Sequence, residues 1–341
     1  MADTIKCPNC SANLKFEPGA AKLACEYCGG VFNIDEIKTE IEELESKEAD
    51  AESVEFICNA CGGKILADMN TSASFCPFCG SPALVSQRLT GEFTPKYIIP
   101  FRYNREKAES AFLKWCKGGK YAPVNFVSKK NIEKLTGLYV PFWLYDMKGD
   151  VNLNGTGHTT TYSGNYTIHK DYEFEINGTL SFEKMPFDGE TRIDDALMEA
   201  IEPYDYTKMI PFDYKYLPGF FADRYDQSKE DIEQRALRRG SEYINNDIEA
   251  KLKKYDRHQV KKNDTKIGDI KAEYALLPVW FLHYKYLGKD FYFAMNGQTG
   301  EVAGKAPVSR VKQLVFYSVT LAVISVVFRF IAGLIMGGFV G

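Results

Sequence analysis

The sequence predicts an α+β fold that ends in a single membrane-crossing helix, and three observations predict it. Cys-x-x-Cys pairs occur four times between Cys7 and Cys79. Strand-like alternation and Asn-Gly pairs share the middle of the chain with two stretches of helical periodicity. From Leu314 onwards the chain is almost wholly apolar. With 341 residues and 45% hydrophobic content, the chain can bury a sizeable core and build about two soluble units besides its tail. A net charge of -4 supplies no global basic field to draw it to nucleic acid or anionic lipid. The 21 tyrosines and 23 phenylalanines point to core and sheet packing.

The first element, residues 1–34, holds Cys7, Cys10, Cys25 and Cys28. The third, residues 56–86, holds Cys58, Cys61, Cys76 and Cys79 with the same spacing, fourteen residues separating one pair from the next. A tight turn between paired cysteines aims both sulfurs at one ion, and two such turns complete a tetrahedral thiolate cage. Glycines follow at Gly29-Gly30, Gly62-Gly63 and Gly80, where the chain must turn beneath the metal. The pattern predicts two zinc ribbons, each with one structural zinc ion, because four thiolates leave no open coordination position. Iron fits four thiolates as well. Disulfides would need an oxidising compartment, and the opening MADTIKCPNC lacks the basic start and apolar run of a secretory signal. Lysines of both ribbons are balanced by nearby acids, so neither presents a basic, aromatic-lined face, and protein contact is the favoured use.

Between the ribbons, residues 35–55 are strongly acidic. Ile34, Ile37, Ile41 and Leu44 repeat at helical spacing, which predicts a short amphipathic spacer helix.

Residues 93–192 and 206–306 read as related α+β repeats. Ile99-Pro100-Phe101-Arg102-Tyr103 returns as Ile210-Pro211-Phe212-Asp213-Tyr214, and Tyr139-Val140-Pro141-Phe142-Trp143 as Leu277-Pro278-Val279-Trp280-Phe281, in a tandem or interleaved duplication. Ala108, Ala111, Phe112 and Trp115 place a helix over 105–117, and Cys116 beside them is an ordinary thiol. Asn154-Gly155 and Asn177-Gly178 predict hairpin turns around a strand with Tyr172, Phe174 and Ile176 on one face. In the second repeat Ser228 and Asp231 predict a capping box. Behind it, Ile232, Ala236, Tyr243, Ile248, Leu252 and Tyr255 form the apolar stripe of a longer, basic-ended helix.

The tail, residues 311–337, is long and apolar enough to cross about 30 Å of hydrocarbon. Arg310 and Lys312 precede it and no acid follows, so the positive-inside rule puts the N-terminal domains in the cytoplasm, on a single-pass anchor in the cell membrane. Arg329 reads as an interfacial anchor or as a polar contact within the membrane. Gly333, Gly337 and Gly341 repeat every fourth residue, a spacing that lets a partner helix approach.

No catalytic motif stands out. His158, His169, His258 and His283 hold no metal or nucleophile spacing, and the acids at Asp194, Asp195, Glu199 and Glu202 read as an acidic loop. The expectation is a protein that is not an enzyme.

Ribbons, Pro-Trp motifs, the NGQTGEVAG turn and the tail, in that order, make the chain resemble bacterial zinc-ribbon membrane proteins of the YdjG type, labelled TFIIB-type zinc ribbon. The resemblance runs over nearly the whole chain. It implies a place in a phage-shock-like membrane-stress module of a Gram-positive bacterium. There the YdjG-type protein and a second membrane protein would recruit an SPFH-domain, virion-core-like protein, which holds a phage-shock-protein-A-like protein at the membrane. The partners it implies are therefore those proteins and membrane lipid, with no nucleic acid. The alternative is a nucleic-acid-binding or transcription-linked zinc-ribbon protein.

Overall fold

In a computed structural model, residues 5–37, 53–57, 64–68, 71–75, 82–84, 93–118, 123, 132 and 134–337 are described. The chain is α+β, as its sequence predicts. Strands β1 (Leu14–Glu17), β2 (Lys22–Cys25) and β3 (Val31–Asn33) form a small antiparallel sheet. Strands β4 (Ser53–Ile57) and β5 (Lys64–Asp68) form a hairpin. Strands β6 (Thr71–Phe75) and β7 (Pro82–Leu84) instead join the principal sheet. The middle of the proposed spacer lies outside the described residues; at its start Ile34 and Ile37 are buried, and its last residues, Ser53 to Glu55, belong to β4 and pair with β5 instead of continuing a helix.

At the centre of the principal sheet, two long strands, β9 (Thr136–Ser163) and β14 (Lys266–Tyr286), run antiparallel. Their register is symmetric about Val140 and Leu277, which face each other; Pro141 then meets Leu276 as Pro278 meets Tyr139. On the outer side of β14 the short strand β8 (Tyr97–Ile98) pairs in parallel as far as Leu276. From Val279 onwards the antiparallel β15 (Lys289–Asn296) takes its place. Outside β9, β12 (Phe221–Asp223) pairs in parallel up to Tyr139, and β10 (Tyr166–Asp188) pairs from Phe142. Each proline sits where one outer neighbour gives way to the other. A residue without an N–H is tolerated there because no ladder bond is asked of it.

The stretches 93–192 and 206–306 thus contribute alternately to one sheet. Ile99–Tyr103 and Ile210–Tyr214 are not the equivalent segments that their likeness suggested. Strand β11 (Ile210–Pro211) lies antiparallel beside β8, and the counterpart of β8 is β12. Each counterpart leads through a capping residue into a helix. Asn104 caps α1 (Arg105–Gly118) by accepting from Lys107 N, and Ser228 closes a capping box on α3 (Lys229–Leu252). Buried on α3 are Ile232, Ala236, Ile244, Ile248 and Leu252; Tyr243, placed in the stripe by periodicity, is exposed, and Ile244 takes the inward position. A short helix, α2 (Asp195–Glu199), brings Met198 to the opposite face of the sheet.

Two further expectations fail. Asn154-Gly155 and Asn177-Gly178 lie within β9 and β10, paired to Glu175, Phe174, Asn152 and Val151, and make no turns. Gly155 is needed for close approach: a Cβ there would stand 2.2 Å from the Gln259 carbonyl of β13 (Arg257–Asn263). The two hairpins turn instead at Gly164-Asn165 and at Leu287-Gly288, at opposite ends of the ribbon. A last strand, β16 (Val302–Gly304), leads to α4 (Arg310–Gly337), whose apolar window 310–329 is 0% buried and long enough to cross a membrane.

Candidate metal centre

Four sulfurs converge on one point of the first ribbon. A bridge between Lys6 and Asn13 closes the loop that carries Cys7 and Cys10, and the Ala24–Val31 pair closes the loop that carries Cys25 and Cys28. Ser11 at φ 61 and Gly29 at φ 71 turn the two loops back under their sulfurs, a conformation that glycine adopts freely and other residues rarely. At Gly30 a Cβ would lie 2.9 Å from the tip of the Phe32 ring, so a side chain there would have to displace that ring. All four Sγ atoms lie within 4.8 Å of one another, with Cys7–Cys28 at 3.7 Å and Cys10–Cys25 at 3.6 Å. A tetrahedron with metal–sulfur bonds of about 2.3 Å has edges of about 3.8 Å, so the cage fits a single metal ion.

The electrostatics point the same way. The Cys28 N–H, foremost, pulls the Cys25 thiol down to about 7. Against the Ala12 N–H, burial and the other three sulfurs push Cys10 up to about 12. Four thiolates held this close repel one another, and a bound cation removes that conflict. With four sulfurs around one ion, the centre would hold structure together and leave no position for substrate.

The ribbon is docked on the body. Phe16 N donates to Pro218 O at 2.8 Å, and its ring stands 5.2 Å from Tyr216 and 6.3 Å from Phe220. Lys215 Nζ donates to Ile34 O at 3.2 Å. A cleft of about 680 Å³ separates the two, edged by Lys15, Glu17, Arg105 and Trp280. Lys15 and Glu26 pair at 2.7 Å, so part of the ribbon's positive charge is already matched.

Cys58, Cys61, Cys76 and Cys79 lie outside the described residues, but the strands that flank them do not. Ile57 pairs with Lys64 and Phe75 with Pro82. These pairings bracket the second cysteine set at the same positions as Lys6–Asn13 and Ala24–Val31 bracket the first. Cys116 is buried on α1, and burial pushes its thiol up to about 12, away from reactivity.

The acids singled out in the sequence are used by the fold. Asp194 caps α2 through Leu197 N, Asp195 pairs with Arg235, and Glu202 meets Arg239 at 2.8 Å. His158 lies 2.6 Å from Asp171 and 3.4 Å from the Thr160 hydroxyl, the order of a nucleophilic triad. The group lies on a strand surface, with Asp171 86% exposed, so a developing oxyanion there would stand in water and not in the enclosed setting that makes fixed donors effective.

The sequence reading missed a second internal motif. Asp188-Gly189-Glu190-Thr191, starting on the last residue of β10, and Asn296-Gly297-Gln298-Thr299, starting on the last residue of β15, occupy matching places. Gly189 N donates to Pro141 O at 2.9 Å, and Gly297 N to Pro278 O at 2.8 Å. The acid–amide likeness of the two tetrapeptides was the available signal.

Comparison with known proteins gives one full-length likeness. The chain is 33% identical over 322 residues to "Uncharacterized protein YdjG" of Bacillus subtilis (strain 168), a match covering 93% of this chain and 94% of that one. No family model and no solved structure matches.

Proposed function

The chain belongs to the YdjG family, and from that premise we propose a membrane-anchored zinc-ribbon adaptor that recruits partner proteins to the cytoplasmic face of the cell membrane. In this reading each cysteine set holds a zinc ion, and both ions are structural. Helix α4 is the single-pass anchor. The partners are a second membrane protein, an SPFH-domain, virion-core-like protein and, through it, a phage-shock-protein-A-like protein, acting in a membrane-stress response. The protein performs no catalysis of its own.

The observation that carries the proposal is α4. Its window 310–329 is apolar and wholly unburied, while the residues before it form a folded body with a closed thiolate centre. An exposed apolar helix of this length is stable in lipid and costly in water. Support for the first ribbon as a protein-binding surface comes from its charge: Lys15 is paired with Glu26, and Lys6, Lys15 and Lys22 stand against Glu17, Glu26, Asp35 and Glu36, which leaves little basic field for phosphates.

The test is purification of the tagged full-length chain from detergent-solubilised membranes, beside a chain stopped after Ser309 and a Cys58→Ser/Cys61→Ser variant. Metal analysis and mass spectrometry of co-purifying proteins are the readouts. Zinc at both sites, half of it lost in the variant, and an SPFH-domain or second membrane protein lost on truncation are expected. Recovery of nucleic acid in a salt-sensitive complex would replace this reading with the nucleic-acid-binding one.

A further inference from the structure

We propose that the tip of the β14–β15 hairpin, bearing Tyr284, Tyr286, Leu287 and Phe291, lies in the interfacial layer of the bilayer that α4 crosses, so that the body touches lipid at a second point. The inference rests on reading α4 as a membrane anchor and adds how the body stands on it.

Chain direction is the first reason. Strand β16 runs antiparallel to β15, with Gly304 opposite Phe293, and Lys305 N then donates to Tyr292 O at 3.3 Å. The chain therefore leaves the body travelling towards the hairpin tip. Five residues, Lys305 to Ser309, separate β16 from α4, and extended they reach about 17 Å. From Phe293 back to Gly288 is also five residues, or about 17 Å of strand. The start of the membrane helix and the hairpin tip thus fall at similar heights.

Side-chain chemistry is the second. Leu287 is 82% exposed and occupies the turn at φ 49, before Gly288 at φ 76. Two-residue turns of this kind favour Asn, Asp or Gly, so packing within the fold gives no reason for a leucine. Tyr284 and Tyr286 stand 6.2 Å apart and Tyr286 and Phe291 6.5 Å apart, forming an aromatic cluster behind it. Aromatic rings with a polar rim concentrate at membrane interfaces. Charge agrees: residues 282–293 and 305–313 include Lys285, Lys289, Lys305, Arg310 and Lys312 against one carboxylate, Asp290, which pairs with His283 at 2.8 Å. Cations flanking an apolar tip suit anionic headgroups. The β9–β10 hairpin points the opposite way along the ribbon, with Tyr162 and Tyr166 exposed near its turn, and provides an internal control.

The full-length chain, reconstituted in phosphatidylcholine–phosphatidylglycerol vesicles, is compared as wild type, Leu287→Trp, Tyr286→Trp and Tyr162→Trp. Emission added by the new tryptophan is read with and without lipid carrying a quencher just below the headgroup. Blue-shifted emission, quenched by that lipid, is expected at 287 and 286 but not at 162. Unquenched emission at 287 and 286, in protein that resists alkaline extraction from the vesicles, overturns the hairpin contact and leaves the anchor standing. Quenching at 162 alone overturns it by reversing the orientation. Release of the wild-type chain by alkali overturns the anchor and this inference together.

Discussion

The two turns that close the halves of the principal sheet share a backbone and differ in charge. Gly189 O accepts from Asp226 N and Gln227 N at 2.9 and 3.2 Å; Gly297 O accepts from Arg102 N and Tyr103 N at 3.0 and 2.9 Å. In the first copy Asp188, 1% exposed, meets Arg235 at 2.9 Å, while Glu190 meets Arg192 at 2.7 and 2.9 Å. In the second, Asn296 donates to Ile201 O at 3.0 Å and Pro203 O at 3.2 Å, and accepts from Gln298 N and Thr299 N. Gln298 bonds both ways to the Asp205 main chain at 2.8 Å. The turn itself is held by the same main-chain bonds in both copies, through a glycine whose Cβ would stand 2.9 Å from Tyr225 in one and 2.6 Å from Phe101 in the other. Which side chain it tolerates is decided by the element packed over it, α3 with its guanidinium in one half and the carbonyls of 201–205 in the other.

The largest break in that comparison comes from charging the neutral copy. Asn296→Asp would aim a buried carboxylate at the carbonyls of Ile201 and Pro203, where the native amide donates. An unpaired buried charge costs about 3–5 kcal/mol, so urea unfolding of the variant in detergent should begin at far lower denaturant. A midpoint equal to that of the wild type would mean that the two turns accept charge alike.

Neutralising the charged copy has a smaller effect, and one that varies with pH. Burial pushes the Asp188 carboxyl up to about 6, against the pull of Arg235. Its folded value therefore lies above the unfolded one of about 3.9. The ionised group then costs stability, a cost absent below the unfolded value and fully present above the folded one. Wild type should gain on Asp188→Asn as pH falls from 7 to 4, by at most about 3 kcal/mol. Parallel curves for the two proteins across that window would show that Arg235 offsets the burial completely.

Legibility in the sequence followed how local each signal was. The two Cys-x-x-Cys turns of the Cys7–Cys28 cage, α1 and the capping box at Ser228 each depend on residues a few positions apart, and all were readable. So was the apolar tail, because lipid imposes a length requirement that any chain displays. The repeat was half readable. Pro141-Phe142-Trp143 and Pro278-Val279-Trp280 were matched because both keep a proline and a tryptophan, whereas β8 and β12 share almost no side chains. Their equivalence comes from parallel pairing to Leu276 and Tyr139, a long-range fact that local sequence does not carry. Asn154-Gly155 misled for a related reason: the pair is a turn signal in isolation, yet glycine there serves the close approach of Gln259, a hundred residues on. The acid–amide swap between Asp188 and Asn296 hid the second motif, since a search for identical residues passes over it.

The smallest effect is the one that most directly tests the equivalence of the halves. Trp143 Nε1 donates to Gln227 O at 3.0 Å, and Trp280 Nε1 to Tyr103 O at 2.9 Å. Each carbonyl belongs to the residue before the helix cap, Ser228 or Asn104. The rings are matched as well, with Trp143 4.9 Å from Tyr225 and Trp280 5.4 Å from Phe101. Replacing either tryptophan by phenylalanine keeps an aromatic ring and removes one bond to a main-chain acceptor, a loss of about 1 kcal/mol for the bond itself. Trp143→Phe and Trp280→Phe should therefore lower the unfolding midpoint by similar amounts. The two substitutions lie on facing strands and release bonds to different helix caps, so a markedly unequal pair of costs would place the stability of the sheet in one half. Equal costs would mean that the duplication is still energetically symmetric at its centre, and that divergence has been confined to the charge of the turns.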